Sequence, residues 1–520
     1  MNVVPVQSTA WLLLLGLFAC YLALAPGTTD GRGYVPEDRE AALQMLASFN
    51  ALVKGRPVPP VAWTRHGPVP LLFDLPFVRL GKLFVSPDFV LSLEPILFTA
   101  ALLMLLYVWL RHLCTPGMSL LLTLIGAFGT MLWPYAYIGL ETKQSFFVFL
   151  AGYLALAKPK FGTWPQLVLF SVVCALAISA KSTGIVLGPA IAYLVYVRFR
   201  GEWRSRWKEA LAACSIIAGI WMLSVIGWRW FWDPRGGGVN AFAQWMSNSP
   251  FQLFTNPIGI LGSPNKGFFI FAPVIMLVVY AAPRTLRTNK EITIFGLLVT
   301  ACIVAFLSTL VITADEVWGQ RFLHVAIAPL LLVIGSAWPR FEWRRHIVLL
   351  LLGFVGVAIS FLGAFYYYGA RPGASEAASQ NTLEWLSGDS VWNEVVFDAR
   401  LFNVWMTGGT EPVLWTPAHV WAWTPPKDAM GWKSINLRDY AQPQSFLLYH
   451  WNAQLDGSNL LVFRICAISV ILGPLLLLWV IAKTTGLSPQ RQSAQRNPMA
   501  PEQLGEIAVR QTREPPDLPA

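Results

Sequence analysis

Residues 90–110 read VLSLEPILFTAALLMLLYVWL and residues 117–138 read GMSLLLTLIGAFGTMLWPYAYI, two apolar runs parted only by RHLCTP. A hydrocarbon layer roughly 30 Å thick needs about 20 apolar helical residues to cross it, so each run suits a membrane span. Working outward, further runs fall at about 9–26, 144–157, 165–180, 183–197, 209–228, 267–282, 292–313, 323–338, 347–368 and 460–482, making twelve. The runs 144–157 and 183–197 are short, which requires an earlier start, a bend, or cover by neighbouring helices. The expected fold class is an all-α polytopic membrane protein of about 12 transmembrane helices.

Composition agrees. Of 520 residues, 55% are hydrophobic and 13% charged, where a water-soluble enzyme carries roughly 25% charged residues. The net charge of +10 invites a nucleic-acid reading, but the basic residues are spread along loops and no nucleic-acid partner is expected. The six cysteines lie in or beside apolar runs without a CxxC pair, which fits neither a disulfide framework nor a zinc site. No phosphate-loop, dinucleotide, zinc-protease or serine-hydrolase motif stands out. The first run has no Lys or Arg before it, so an uncleaved first span is expected rather than a signal peptide.

Short-loop charge sets an orientation. With the N-terminus inside, fourteen basic residues, from Arg111 through Arg345, fall on cytoplasmic turns, whereas the opposite short turns hold only Lys143, Lys181 and Arg321. Both termini are then cytoplasmic. The expected domains are a membrane domain at 1–368 with external loops 27–89 and 229–266, an extracytoplasmic cap at 369–459, a final span at 460–483 and a disordered cytoplasmic tail at 484–520.

Polar residues gather at the outer mouths of the spans. Asp30 follows the first span, and Glu37 and Asp38 open an amphipathic stretch, EAALQMLASFNALVKG, whose positive N-terminal end favours carboxylates. Helix capping is the plainer role for Glu37 and Asp38. In WTRHGPVPLLFDLPFVRLG, Pro68, Pro70 and Pro76 are expected to interrupt a continuous helix. Arg65 offers a fork suited to phosphate, His66 a proton relay or a loop contact, and Asp74 an acid whose partner the sequence does not assign. Trp133, Pro134 and Tyr135 read as interfacial anchors, followed by Glu141 and Lys143. Lys181 interrupts two apolar runs with scarcely a turn between them, which points to an anion contact. GSPNKGFFIFAP brings Lys266 between glycines, and ADEVWGQRFLHVAIAP carries Asp315, Glu316, Arg321 and His324, where salt bridging to Asp315 or Glu316 is the bland alternative.

Through its acidic first loop, HGPVPLLFDLPF, GSPNKGFFIFAP and WGQRFLHVAIAP, the chain resembles bacterial members of the GT-C glycosyltransferase superfamily. The resemblance, over residues 9–368, is to dolichyl-phosphate-mannose-protein mannosyltransferase-like and ArnT-like proteins. It implies an inverting transferase that moves a sugar from a polyprenyl-phosphate donor to an envelope lipid, glycan or protein acceptor, outside the bacterial inner membrane. It also implies a first-loop acid as base, matched here by Asp38, although this chain reads Glu37-Asp38 where the family favours Asp-Glu. Arg65, His66, Glu141, Lys181, Lys266, Asp315, Glu316, Arg321 and His324 are the substrate-binding candidates. No cofactor is required if cations neutralise the leaving phosphate; the alternative is a divalent metal held by Glu37, Asp38 and another acid. The partners expected are the lipid-linked donor, an envelope acceptor and membrane lipids. A lipid-linked sugar flippase or other transporter, or a non-enzymatic assembly protein binding through the cap, would also fit the topology.

Overall fold

The computed structural model describes residues 6–25, 43–56 except 45, 48, 49 and 52, 68–84, 87–137, 141–157, 163–227, 250–263, 267–309, 321–339, 346–365, 394–408, 412–415, 433–436 and 457–485. Helix dominates these residues. In chain order the α-helices are α1 (Val6–Ala23), α2 (Pro68–Phe84), α3 (Pro87–Leu113), α4 (Pro116–Phe128), α5 (Leu132–Tyr135), α6 (Thr142–Leu156), α7 (Trp164–Ser179), α8 (Gly188–Phe199) and α9 (Trp203–Met222). They continue with α10 (Pro250–Gly262), α11 (Phe268–Phe271), α12 (Val278–Thr288), α13 (Lys290–Ser308), α14 (His324–Ala337), α15 (Ile347–Phe365), α16 (Glu394–Thr407) and α17 (Gly457–Thr485). Among the described residues the fold is all-α and largely helical, as expected, with one small addition: two four-residue strands, β1 (Pro412–Trp415) and β2 (Lys433–Asn436), pair antiparallel.

The expected twelve full spans are not what the described residues show. Five helices are long and apolar enough to cross a membrane by themselves: Leu93–Leu113, Trp203–Val225, Lys290–Ser308, Ile347–Phe365 and Leu460–Thr484. Five more apolar helices are shorter, at Gln7–Ala23, Pro116–Phe128, Trp164–Ser179, Thr183–Phe199 and Arg321–Ala337. Breaks explain much of the shortfall. The run 117–138 is cut after α4 and resumes as the one-turn α5, and 267–282 is divided into α11, a 3₁₀ turn at Pro273–Leu277 and α12. Short helices survive where neighbours cover them, and α6 is buried along most of its length between α3, α7 and α14.

Side-chain periodicity separates lipid face from packing face. On α15, Ile347, Leu351, Phe354 and Val355 form one exposed apolar stripe, while Leu349, Gly353, Gly356, Ser360 and Ala364 are buried on the other face. α17 likewise exposes Ile468, Ile471, Leu475 and Leu478. Such stripes are stable against lipid and are liabilities in water. The buried face of α15 is nearly bare so that backbones can approach: a Cβ on Gly356 would lie 2.2 Å from Gly129 O.

The two ends of the bundle can be traced through contacts. α1 packs along α17, and Lys483 Nζ reaches Ser8 Oγ at 3.3 Å, so residues 8 and 483 share one end. At that end's partner turns, Thr115 N–H donates to Pro339 O at 2.8 Å and Arg200 pairs with Glu291 at 2.9 Å. At the other end Tyr21 meets Tyr137 edge-on, with ring centroids 6.4 Å apart, and Tyr21 OH donates to Ala127 O at 2.8 Å. There α16 lays Phe402 against Phe361 and Phe365 of α15.

Candidate functional site

At the end away from residues 8 and 483, α6 begins with two oppositely charged residues two positions apart. Glu141 is its N-cap residue and Lys143 lies in its first turn. Residues i and i+2 do not share a helix face, so one turn serves two different clusters.

The first cluster gathers around Glu141, whose carboxylate is buried. Lys181 Nζ pairs with Glu141 Oε1, and Arg321 Nε lies 3.6 Å from the same oxygen. Local structure delivers each group. Glu141 sits at the positive N-terminus of α6, and Lys181 follows the C-terminus of α7, where a cation is favoured. After Lys181 the chain turns back as a 3₁₀ segment, Ser182–Leu187, so tightly that a Cβ on Gly184 would lie 2.0 Å from Ile178 O. Arg321 opens the 3₁₀ turn that leads into α14. Phe322 contacts both cations, with Lys181 Nζ 4.1 Å and Arg321 Cζ 4.9 Å from its ring centroid. His324 completes the group: its Nδ1 lies 2.6 Å from Ser145 Oγ, and its ring packs 5.2 Å from that of Tyr135. The carboxylate thus gathers an ammonium and a guanidinium at one point, donor chemistry that suits an oxyanion.

The second cluster faces α2 and α3. Leu71, Asp74 and Val78 are buried on one stripe of α2, which packs on α3, so Asp74 cannot sit there without a cation. Lys143 supplies one, 2.9 Å from Asp74 and 3.2 Å from Glu94 of α3, with side-chain exposures of 3%, 0% and 0%. This triad ties the first loop's helix to the N-terminus of α6.

Several expectations are revised. Pro68, Pro70 and Pro76 do not interrupt the chain, because α2 is one helix: Pro68 and Pro70 occupy its first turn, where a missing N–H is harmless, and only Pro76 lies inside. Trp133, Pro134 and Tyr135 are buried packing residues, not interfacial anchors. Of the twelve proposed site residues, Glu141, Lys181, Arg321 and His324 are described and converge. Asp30, Glu37, Asp38, Arg65, His66, Lys266, Asp315 and Glu316 lie outside the described residues. Sequence reasoning missed Glu94, Ser145 and Phe322. A lone acid within an apolar run was a signal for Glu94; nothing distinguished Ser145 or Phe322. Among the described residues no group of three or more His, Cys, Asp or Glu is arranged to hold a metal ion, and the proposed acidic metal ligands Glu37 and Asp38 lie outside them.

Comparison with known proteins gives a distant structural likeness. The chain is similar to the crystal structure of ArnT from Cupriavidus metallidurans in the apo state, at 14% identity, over 92% of this chain and 78% of that one, with a TM-score of 0.47. It is similar also to the same protein bound to undecaprenyl phosphate, at 14% identity, over 93% and 78% of the two chains, with a TM-score of 0.48. No family model and no curated protein matches this chain.

Proposed function

We propose that this protein is an inverting glycosyltransferase that moves a sugar from a polyprenyl-phosphate donor to an envelope acceptor. The observation that carries the reading is the Glu141–Lys181–Arg321 cluster: two cations converge on one buried carboxylate at a single end of an apolar helical bundle. Charge placed this deep is costly unless it is paired and used. A lipid-linked phosphate suits such a site, since its tail belongs in the bilayer and its headgroup oxygens accept from ammonium and guanidinium donors. The donor brings its own membrane anchor, so no soluble nucleotide-binding domain is needed.

In this mechanism Lys181 and Arg321 stabilise charge growing on the leaving phosphate as the anomeric C–O bond breaks, and Glu141 fixes both cations in place. Asp38 takes the proton of the attacking acceptor hydroxyl, with Glu37 and Asp30 as the neighbouring acids and Arg65, His66, Lys266, Asp315 and Glu316 as further contacts. The site then faces outward, with both termini cytoplasmic and 369–459 as its cap. The test is incubation of the purified protein with polyprenyl-phosphate sugars and candidate envelope acceptors. Asp38→Asn is expected to lower transfer by about 100-fold or more. Transport of the lipid-linked sugar with no product, retained in Asp38→Asn, would instead establish a flippase.

A further inference from the structure

Ser145 has one hydroxyl proton and two polar neighbours. Its Oγ lies 2.8 Å from the carbonyl oxygen of Glu141 and 2.6 Å from Nδ1 of His324. A carbonyl oxygen only accepts, so the serine proton is committed to Glu141 O, and the second contact requires His324 to donate from Nδ1. In the neutral ring Nε2 then carries only a lone pair. That atom is buried and, among the described residues, has no hydrogen-bond partner. Packing of the ring against Tyr135 at 5.2 Å holds its plane, so the lone pair keeps a fixed direction.

Such an atom repels the oxygens of a phosphate and attracts a hydroxyl. We infer that His324 Nε2 is the hydroxyl-recognising acceptor of this site: the ligand is a phosphate ester carrying a hydroxyl near its phosphoryl group, as a sugar phosphate does, and not a bare alkyl phosphate. The inference rests on the reading of Lys181 and Arg321 as the phosphate site, and it adds the discrimination between sugar-loaded donor and spent carrier. A transferase gains from this difference, because the spent carrier then leaves more readily than the donor.

The test uses the full chain in lipid nanodiscs with two probes, polyprenyl-phosphate mannose and bare polyprenyl phosphate. Wild type is expected to bind the sugar-bearing lipid about tenfold more tightly, the scale of one hydrogen bond to a buried acceptor. His324→Phe is expected to bind the two equally, and Ser145→Ala, which releases Nδ1, to reduce the preference. ¹⁵N NMR of labelled histidine, with His324 assigned by its loss in the variant, is expected to show Nδ1 protonated and Nε2 bare without ligand. Equal wild-type affinities, a preference that survives His324→Phe, or a protonated Nε2 would overturn the inference. Binding of neither lipid would overturn the phosphate reading and this inference with it. Tight binding of bare polyprenyl phosphate, with no preference for the sugar, removes the inference alone.

Discussion

Glu141 and Lys143 show how two positions of one helical turn divide a polar workload. Lys143 holds two carboxylates, from α2 and α3, and its loss would take a cation from both in a buried setting. Breaking a buried ion pair from one side costs about 3–5 kcal/mol, whereas removing all partners together is often close to neutral. Lys143→Met is therefore expected to be strongly destabilised, and Lys143→Met combined with Asp74→Asn and Glu94→Gln to recover most of the loss in a thermal unfolding assay. Recovery confined to solubility, with no return of the unfolding midpoint, would contradict the triad. For Lys181, which pairs with Glu141 but also faces the proposed phosphate, Lys181→Met is expected to cut sugar transfer by about 100-fold. An unchanged rate would remove Lys181 from the site.

Helix continuity decides which elements the sequence could reveal. The apolar runs at 90–110, 292–313, 347–368 and 460–482 became α3, α13, α15 and α17, because an uninterrupted run of that length has one low-energy form in lipid. The runs that broke did so for tertiary reasons. Gly129 ends α4 where α15 crosses it, a contact set by Gly356 more than two hundred residues later. In the same way the pairing of Lys181 with Arg321 through Glu141 joins three helix ends distant in sequence, so composition pointed to these residues but not to their partners. Asp74 was visible as an acid among apolar residues, while its partner depended on how α2 docks. Gly356→Ala is expected to lower stability by about 1–3 kcal/mol through overpacking. Gly188→Ala, with no atom within 4 Å of the added Cβ, is expected to be silent. Equal midpoints for the two variants in differential scanning fluorimetry would refute the close crossing of α4 and α15.

Across the whole molecule, contacts sort the helix ends into two sets. Residues 8 and 483 lie at one, and Glu141, Lys181, Arg321 and His324 at the other. The proposed sidedness makes the second set extracytoplasmic. In a variant with its six cysteines replaced, a single cysteine at Ser379 is expected to react with an impermeant maleimide on intact cells, and one at Ser493 only after lysis. The reverse pattern would invert the orientation. The central claim, that the charged end binds a lipid phosphate, is tested most directly by comparing the binding of polyprenyl phosphate and of polyprenol to the purified protein. A triple variant, Lys181→Met with Arg321→Gln and Glu141→Gln, serves as the control that removes the cations together with the carboxylate they share. Wild type is expected to bind the phosphate at least about tenfold more tightly than the alcohol, with that difference lost in a triple variant that still unfolds cooperatively. Equal binding of phosphate and alcohol by wild type, or a preference undiminished in the triple variant, would contradict the claim.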